Sequence, residues 1–146
     1  MRLSSILSVF LPVAATFAAP ATNLPIVKVT YDRVYDGRDN SLSIVACSNG
    51  PNGLLTKGYT NFGSLGNFPV MGGTQYVAGW NSPNCGTCWQ LGFNGRTINV
   101  LAIDHADEGF NVSFETLQRL TLNQTDNLGG VLYTTVQQVS TSLCRI

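Results

Sequence analysis

Apolar and polar residues alternate along IVKVTY, residues 26–31, the period of a strand with one buried face. The same period returns in CWQLGFNGRTINVLAID, which reads as a hairpin with Asn94-Gly95 as the turn between two alternating runs. VLYTTVQQV, residues 131–139, is rich in β-branched side chains and predicts the last strand; TQYVAGW, residues 74–80, predicts another. SLSIVAC, residues 41–47, leads into the turn-rich SNGPNGLLTKGY, where Leu54 and Leu55 are expected on a short helix. Residues 62–73 read as a loop, because their glycines and Pro69 punctuate any regular element. One stretch, SFETLQRLTL at 113–122, changes period: Phe114, Leu117 and Leu120 fall on one helical face, Ser113 is placed to cap it, and Glu115 suits the first turn. There is no internal repeat and no low-complexity tract. Short strands at this spacing, with few helices, predict a mainly β fold closed into a compact barrel.

The N-terminus has a different pattern. MRLSSILSVFLPVAATFAAP sets Arg2 ahead of an uncharged apolar run, Ile6 to Phe17, followed by small residues. This is the pattern of a secretory signal peptide over residues 1–18, cut near Ala18 or Ala19 and leaving one domain at 19–146. A membrane anchor is the alternative, but a spanning helix needs about 20 apolar residues, and this run is shorter and broken by Pro12. No later segment is long and apolar enough to span, so no membrane partner is expected.

Export places the four cysteines, Cys47, Cys85, Cys88 and Cys144, in an oxidising space, where two disulfides are the default. The C-x-x-C at Cys85 and Cys88 has two other readings. A redox pair needs a stabilised thiolate, usually at a helix start after a strand, yet here an alternating strand-like run follows. Zinc needs further ligands close by, and His105 is the sole histidine. No metal and no cofactor is therefore expected. Four cysteines allow three pairings; Cys85–Cys88 would close a very small loop, and the other two schemes each join both residues to distant partners.

Charge narrows the partners. Charged residues are 11% of the chain, and losing Arg2 with the signal leaves seven Lys and Arg against eight Asp and Glu. Without a basic patch there is nothing to neutralise phosphates, which argues against nucleic acid. A weakly charged polar surface suits a neutral partner such as a polysaccharide.

The ordered blocks VTYDRVYD, SLSIVACSNGPNGL, GNFPVMGG, VAGWNSPNCGTCW, INVLAIDHADEGFNVS and LGGV resemble the cerato-platanin family of small secreted fungal proteins, with the four cysteines in register. The resemblance implies a six-stranded double-psi β-barrel with short helices and the disulfides Cys47–Cys85 and Cys88–Cys144. It implies secretion to the medium and the fungal cell wall. It also implies binding of chitin oligomers and wall polysaccharide, expansin-like loosening without hydrolysis, and recognition as an elicitor by a plant immune receptor. Tyr31, Asp32, Asp104 and Asn111 match residues that line the family's groove, with Asp104 and Asn111 as its polar contacts. Gln75 and Tyr76 are further groove residues by position alone.

The same barrel serves some endoglucanases, so cleavage must be weighed against binding. Inverting hydrolysis needs two carboxyl groups about 6.5–9.5 Å apart. Asp104 ends an apolar strand and is the one well-placed acid; its plainer role is to accept hydrogen bonds at a strand end. Asp107 and Glu108 are too near it in sequence to oppose it across a sugar, and Asp32, Asp36 and Asp39 come from elsewhere. A non-hydrolytic binder is the expectation; a weak hydrolase and a surface-active, self-assembling wall protein are the alternatives. Sugar rings offer flat apolar faces that aromatic side chains cover. Tyr31 is either such a face or a barrel-packing residue. Trp80 and Trp89 are read as core, as are Phe110 and Phe114. Asn111 and Asn123 both carry the N-glycosylation acceptor pattern; Asn123, in a turn after the helix, is the expected glycosylated site, and a groove role requires Asn111 bare. His105 is read as a surface turn residue rather than a pH sensor.

Overall fold

The computed structural model describes residues 23–146 and Pro12. Apart from Pro12, the expected signal segment lies outside them. Six strands form the fold: β1 (Ile26–Tyr31), β2 (Met71–Thr74), β3 (Cys88–Phe93), β4 (Arg96–His105), β5 (Phe110–Val112) and β6 (Leu132–Val139). They close in the order β1-β5-β2-β4-β3-β6. The β1/β5 and β2/β4 pairs are parallel, and the others antiparallel. Closure leaves no free sheet edge. The mainly β, six-stranded barrel is the expected one.

Inward positions fill the interior. Val27 and Val29 of β1, Leu91 of β3, Phe110 and Val112 of β5, and Leu132 and Val136 of β6 are all buried. Val100, Leu101, Ala102 and Ile103 of β4 are buried without alternation, because this strand is covered on both faces. The helix α1 (Phe114–Thr121) packs against it and buries Leu117 and Leu120. Its start is capped twice. The Ser113 hydroxyl accepts from the Thr116 amide at 3.1 Å, as the sequence suggests. The Asp36 carboxylate, remote in sequence, accepts from the Phe114 and Glu115 amides, each at 3.0 Å.

The pairings are Cys47–Cys85 and Cys88–Cys144, with Cα separations of 5.4 and 5.7 Å. Their sequence separations are 38 and 56 residues. Loops of that size correspond to about 4 kcal/mol each in the chain-entropy account.

Several local expectations are corrected. The 74–80 segment is not a strand: only Thr74 belongs to β2, and the chain then turns, with Val77 as its buried anchor. The loop expected at 62–73 contains most of β2, whose MGGT sequence hides the strand behind two glycines. Leu54 and Leu55, expected on a short helix, lie in turn structure. Trp89 and Phe110 are buried as expected, and Trp89 stacks on Tyr76 with ring centroids 4.2 Å apart. Phe114 is only half-buried, between Tyr31 and the Arg33 guanidinium. Trp80 is not core: it is 63% exposed. The segment that carries it leaves the barrel after Thr74, and its indole N–H is satisfied at the surface by Asn49.

Candidate functional site

An open polar cleft of about 400 Å³ lies where β1 and β5 meet the turn between β4 and β5. Lys28 and Thr30 line it from β1, Asn111 from β5, His105 from the end of β4, and residues 106–108 from the turn. Period-2 alternation explains the set: Val27 and Val29 point inward, so Lys28 and Thr30 face out. Thr30 pairs in parallel register with Asn111, and its hydroxyl donates to Asn111 Oδ1 at 3.1 Å. That bond orients the amide, leaving the two Nδ2 protons as donors toward the cleft.

The charges of the cleft pair off along its rim. Lys28 Nζ lies 3.3 Å from Glu108 Oε2. His105 Nδ1 is 2.6 Å from the Val77 carbonyl oxygen and Nε2 is 3.1 Å from Asp107 Oδ1. A carbonyl oxygen only accepts, so Nδ1 carries a proton; with both nitrogens facing acceptors, the cation is favoured. The Val77 carbonyl, and then the Asp107 hydrogen bond, hold the His105 pKa above the usual imidazole range. His105 thus titrates from a hydrogen-bonded position instead of ending a free turn.

Beyond Asn111, the row continues through Gly73 of β2 to Asp104 of β4. Neighbouring strands lie about 4.8 Å apart, so two spacings separate Asn111 from Asp104. Gly73 is buried, and a Cβ there would stand 2.7 Å from the His105 carbonyl oxygen and 3.3 Å from the Tyr35 hydroxyl, so only glycine fits between them. Asp104 itself is largely occupied. Oδ2 accepts from the Tyr35 hydroxyl at 3.0 Å, and Oδ1 accepts from the Ala46 and His105 amides at 2.9 and 2.8 Å. Burial foremost, and then the charge of Asp104, push the Tyr35 hydroxyl well above the ordinary phenol range. It stays protonated and donates. The acceptor role weighed for Asp104 is therefore present, and one lone-pair site on Oδ2 remains for a ligand hydroxyl.

The four expected groove residues do not converge in one cavity. Asn111 lines the cleft, and Asp104 stands on the strand beyond Gly73. Tyr31 turns to the other side of β1, its ring edge-on to Phe114 at 4.9 Å. Asp32 is exposed and accepts from the Val34 amide at 2.9 Å, capping a short 3-10 turn. Gln75 Oε1 accepts from the Gly109 amide at 2.6 Å, which ties the start of β5 to the end of β2, while Tyr76 packs on Trp89. Lys28 and Thr30 were legible as outward positions of β1, but no motif marked them. The acids of the cleft, Asp107 and Glu108, are adjacent residues of one turn. Asn123 is exposed in a left-handed position just after α1. Among the described residues no cluster of His, Cys, Asp and Glu is fit to hold a metal, and no helix is long and apolar enough to cross a membrane.

Comparison with known proteins covers this whole architecture. The cerato-platanin family model matches residues 27–146. The heat-stable 19 kDa antigen of Coccidioides immitis (strain RS) is 42% identical over 138 residues, covering 94% of this chain and 90% of the antigen. The crystal structure of cerato-platanin 3 from M. perniciosa superposes with a TM-score of 0.79 at 44% identity, covering 84% of this chain and 100% of that one. The solution structure of the fungal elicitor Cerato-Platanin gives 0.70 at 36% identity, covering 81% and 96%. With its barrel matched from the first strand to the last residue, the chain belongs to the cerato-platanin family.

Proposed function

We propose that the protein is a secreted fungal glycan binder that takes chitin oligomers and related wall polysaccharide in the β1/β5 cleft and does not cut them. The observation that carries this reading is the arrangement around Asn111. Its amide is oriented by Thr30, beside an open polar cleft of about 400 Å³ whose charges are already paired. Such a surface offers hydrogen bonds to hydroxyl and N-acetyl groups without the desolvation cost of an unpaired ion. Asp104, two strands away from Asn111, adds one more acceptor. Holding a chain by hydroxyls, with no acid pair opposed across it, separates strands of polysaccharide rather than hydrolysing them, which is the expansin-like role. Neither the antigen nor the elicitor among the relatives carries an enzyme's name. An elicitor role comes to this chain from the relative so named, and a plant immune receptor is the partner this reading assigns to it. In this reading the chain carries its glycan at Asn123 and leaves Asn111 bare.

The test is a residue-resolved NMR titration with N-acetylglucosamine hexamer. Thr30, Asn111 and the 105–108 amides are expected to shift together and saturate, and Asn111→Ala is expected to weaken binding with the fold intact. A reducing-end assay on chitin and cellulose is expected to stay at background. Steady turnover, or Asn111 fully glycosylated in the secreted protein, would refute the reading.

A further inference from the structure

Trp80 is the largest side chain that the fold leaves in solvent, at 63% exposure. A single exposed apolar residue is ordinary. Trp80 differs because its ring is held and surrounded. The indole Nε1 donates to Asn49 Oδ1 at 2.7 Å, and a Cβ on Gly50 would stand 3.0 Å from Trp80 Cζ2. The ring thus rests against the loop backbone, and glycine at 50 permits that contact. Asn81 follows in a left-handed conformation, φ 58°, and locks the two loops together. Its Oδ1 accepts from the Asn52 amide at 2.9 Å, and its carbonyl accepts from Asn52 Nδ2 at 3.0 Å. The Cys47–Cys85 disulfide joins the same loops at their outer ends.

These bonds leave Asn49 Nδ2, Asn81 Nδ2 and Asn52 Oδ1 free to meet a ligand. A fixed aromatic face bordered by two amide donors and one carbonyl acceptor, with no charged side chain among the residues that build it, selects a neutral partner. That partner has one flat apolar face and hydrogen-bonding groups around its edge. A β-linked pyranose with equatorial hydroxyls has this shape, and little side-chain entropy is lost, because the ring is already pinned. We propose that Trp80, with Asn49, Asn52 and Asn81, forms a second carbohydrate-binding surface that takes the flat face of a β-linked pyranose chain. It shares no residue with the β1/β5 cleft; its ligand class rests on the reading of that cleft, but its position does not.

The wild-type, disulfide-bonded protein supplies the test through its two indole N–H signals in an NMR titration. The probes are N-acetylglucosamine hexamer and, separately, the β-1,4-linked glucose hexamer. The Trp80 signal is expected to shift and saturate, with tryptophan emission moving to the blue as sugar covers the ring. The Trp89 signal, from a buried indole bonded to Thr87 Oγ1 at 2.8 Å, is expected to stay in place. Asn49→Ala, which unpins the indole, is expected to weaken the Trp80 response about fivefold. If both sugars leave the Trp80 signal unmoved, the second surface is overturned, and shifts at Thr30 and Asn111 in the same spectra would still uphold the cleft. If Trp80 responds while the cleft amides do not, the second surface stands and the cleft reading falls. A Trp80 shift that follows protein concentration without sugar would identify self-contact and overturn the proposal.

Discussion

Asp104 presents two roles that one substitution can separate. Tyr35 is 4% exposed, and Asp104 Oδ2 is the acceptor of its hydroxyl at 3.0 Å. Asp104→Ala strands that hydroxyl, and an unsatisfied buried polar group costs about 1–3 kcal/mol. The Ala46 amide, bonded to Oδ1 at 2.9 Å and half-buried, adds about 1 kcal/mol. The His105 amide stands at an exposed residue, where water replaces the lost bond at small cost. The expected total is about 3 kcal/mol, which lowers the melting midpoint of a domain this size by roughly 10 °C. Tyr35→Phe alone removes a donor and leaves a carboxylate that still keeps two amides, at about 1 kcal/mol. In the Tyr35→Phe background no hydroxyl remains to strand, so Asp104→Ala should cost less there, with a coupling of about 1–2 kcal/mol. Urea unfolding of the four proteins, with both disulfides intact, measures this directly. An Asp104→Ala protein within about 0.5 kcal/mol of the parent, or a purely additive double mutant, would refute the role of Asp104 as the tie between β4, Tyr35 and Ala46. The result also bears on binding work: affinity lost in Asp104→Ala cannot be assigned to a sugar contact, whereas Asn111→Ala leaves this tie untouched.

Three further outcomes follow from the same geometry. Gly109→Ala places a Cβ against the Lys28 carbonyl at a φ of 58°, so the β1/β5 pair must shift; a loss of at least about 2 kcal/mol is expected in urea unfolding, with the cleft amides displaced in the NMR spectrum. Replacing Cys88 and Cys144 together by Ser removes a constraint across 56 residues, and an upper bound of about 4 kcal/mol is expected; a loss below about 1 kcal/mol would mean that the unfolded chain is already restricted. The His105 ring is expected to titrate with a midpoint above the unperturbed value of about 6.5, because Val77 and Asp107 both accept from it. A folded pKa above the unfolded one means that this contribution is fully present below the unfolded pKa and is lost as pH rises through the folded pKa. An NMR midpoint at or below the ordinary imidazole value would show that the two acceptors do not hold the cation.

The strands that the sequence revealed and those that it hid differ in where their reasons lie. β1, β6, the β3–β4 hairpin and α1 each carry a local signal: alternation, β-branched content, an Asn-Gly turn, or a capped helical face. β2 and β5 carry almost none. Met71–Thr74 is half glycine, and Phe110–Val112 is three residues long. Both exist because non-local partners on either side supply their hydrogen bonds. They also floor the interval between β1 and β4 where the site is built, so the site was harder to read than the fold. Trp80 is the same case reversed. Its size suggested core, and only the path of the chain after Thr74 carried it out to Asn49.

From the residues alone came the cysteine framework as a pair of disulfides, the main strands, the helix with its Ser113 cap, and a neutral surface suited to an uncharged partner. These depend on composition and on contacts between near neighbours in the chain. The tertiary structure decided that Thr30 meets Asn111 across 81 residues, that Gly73, where no Cβ fits, stands between Asn111 and Asp104, and that Asp104 is mostly consumed by Tyr35, Ala46 and His105. The β1/β5 pairing sets the first, the place of β2 between β5 and β4 the second, and the packing of the Tyr35 turn and the Ala46 loop against β4 the third. Such pairing and packing leave no period in the sequence, because each partner shows only its own half of the contact.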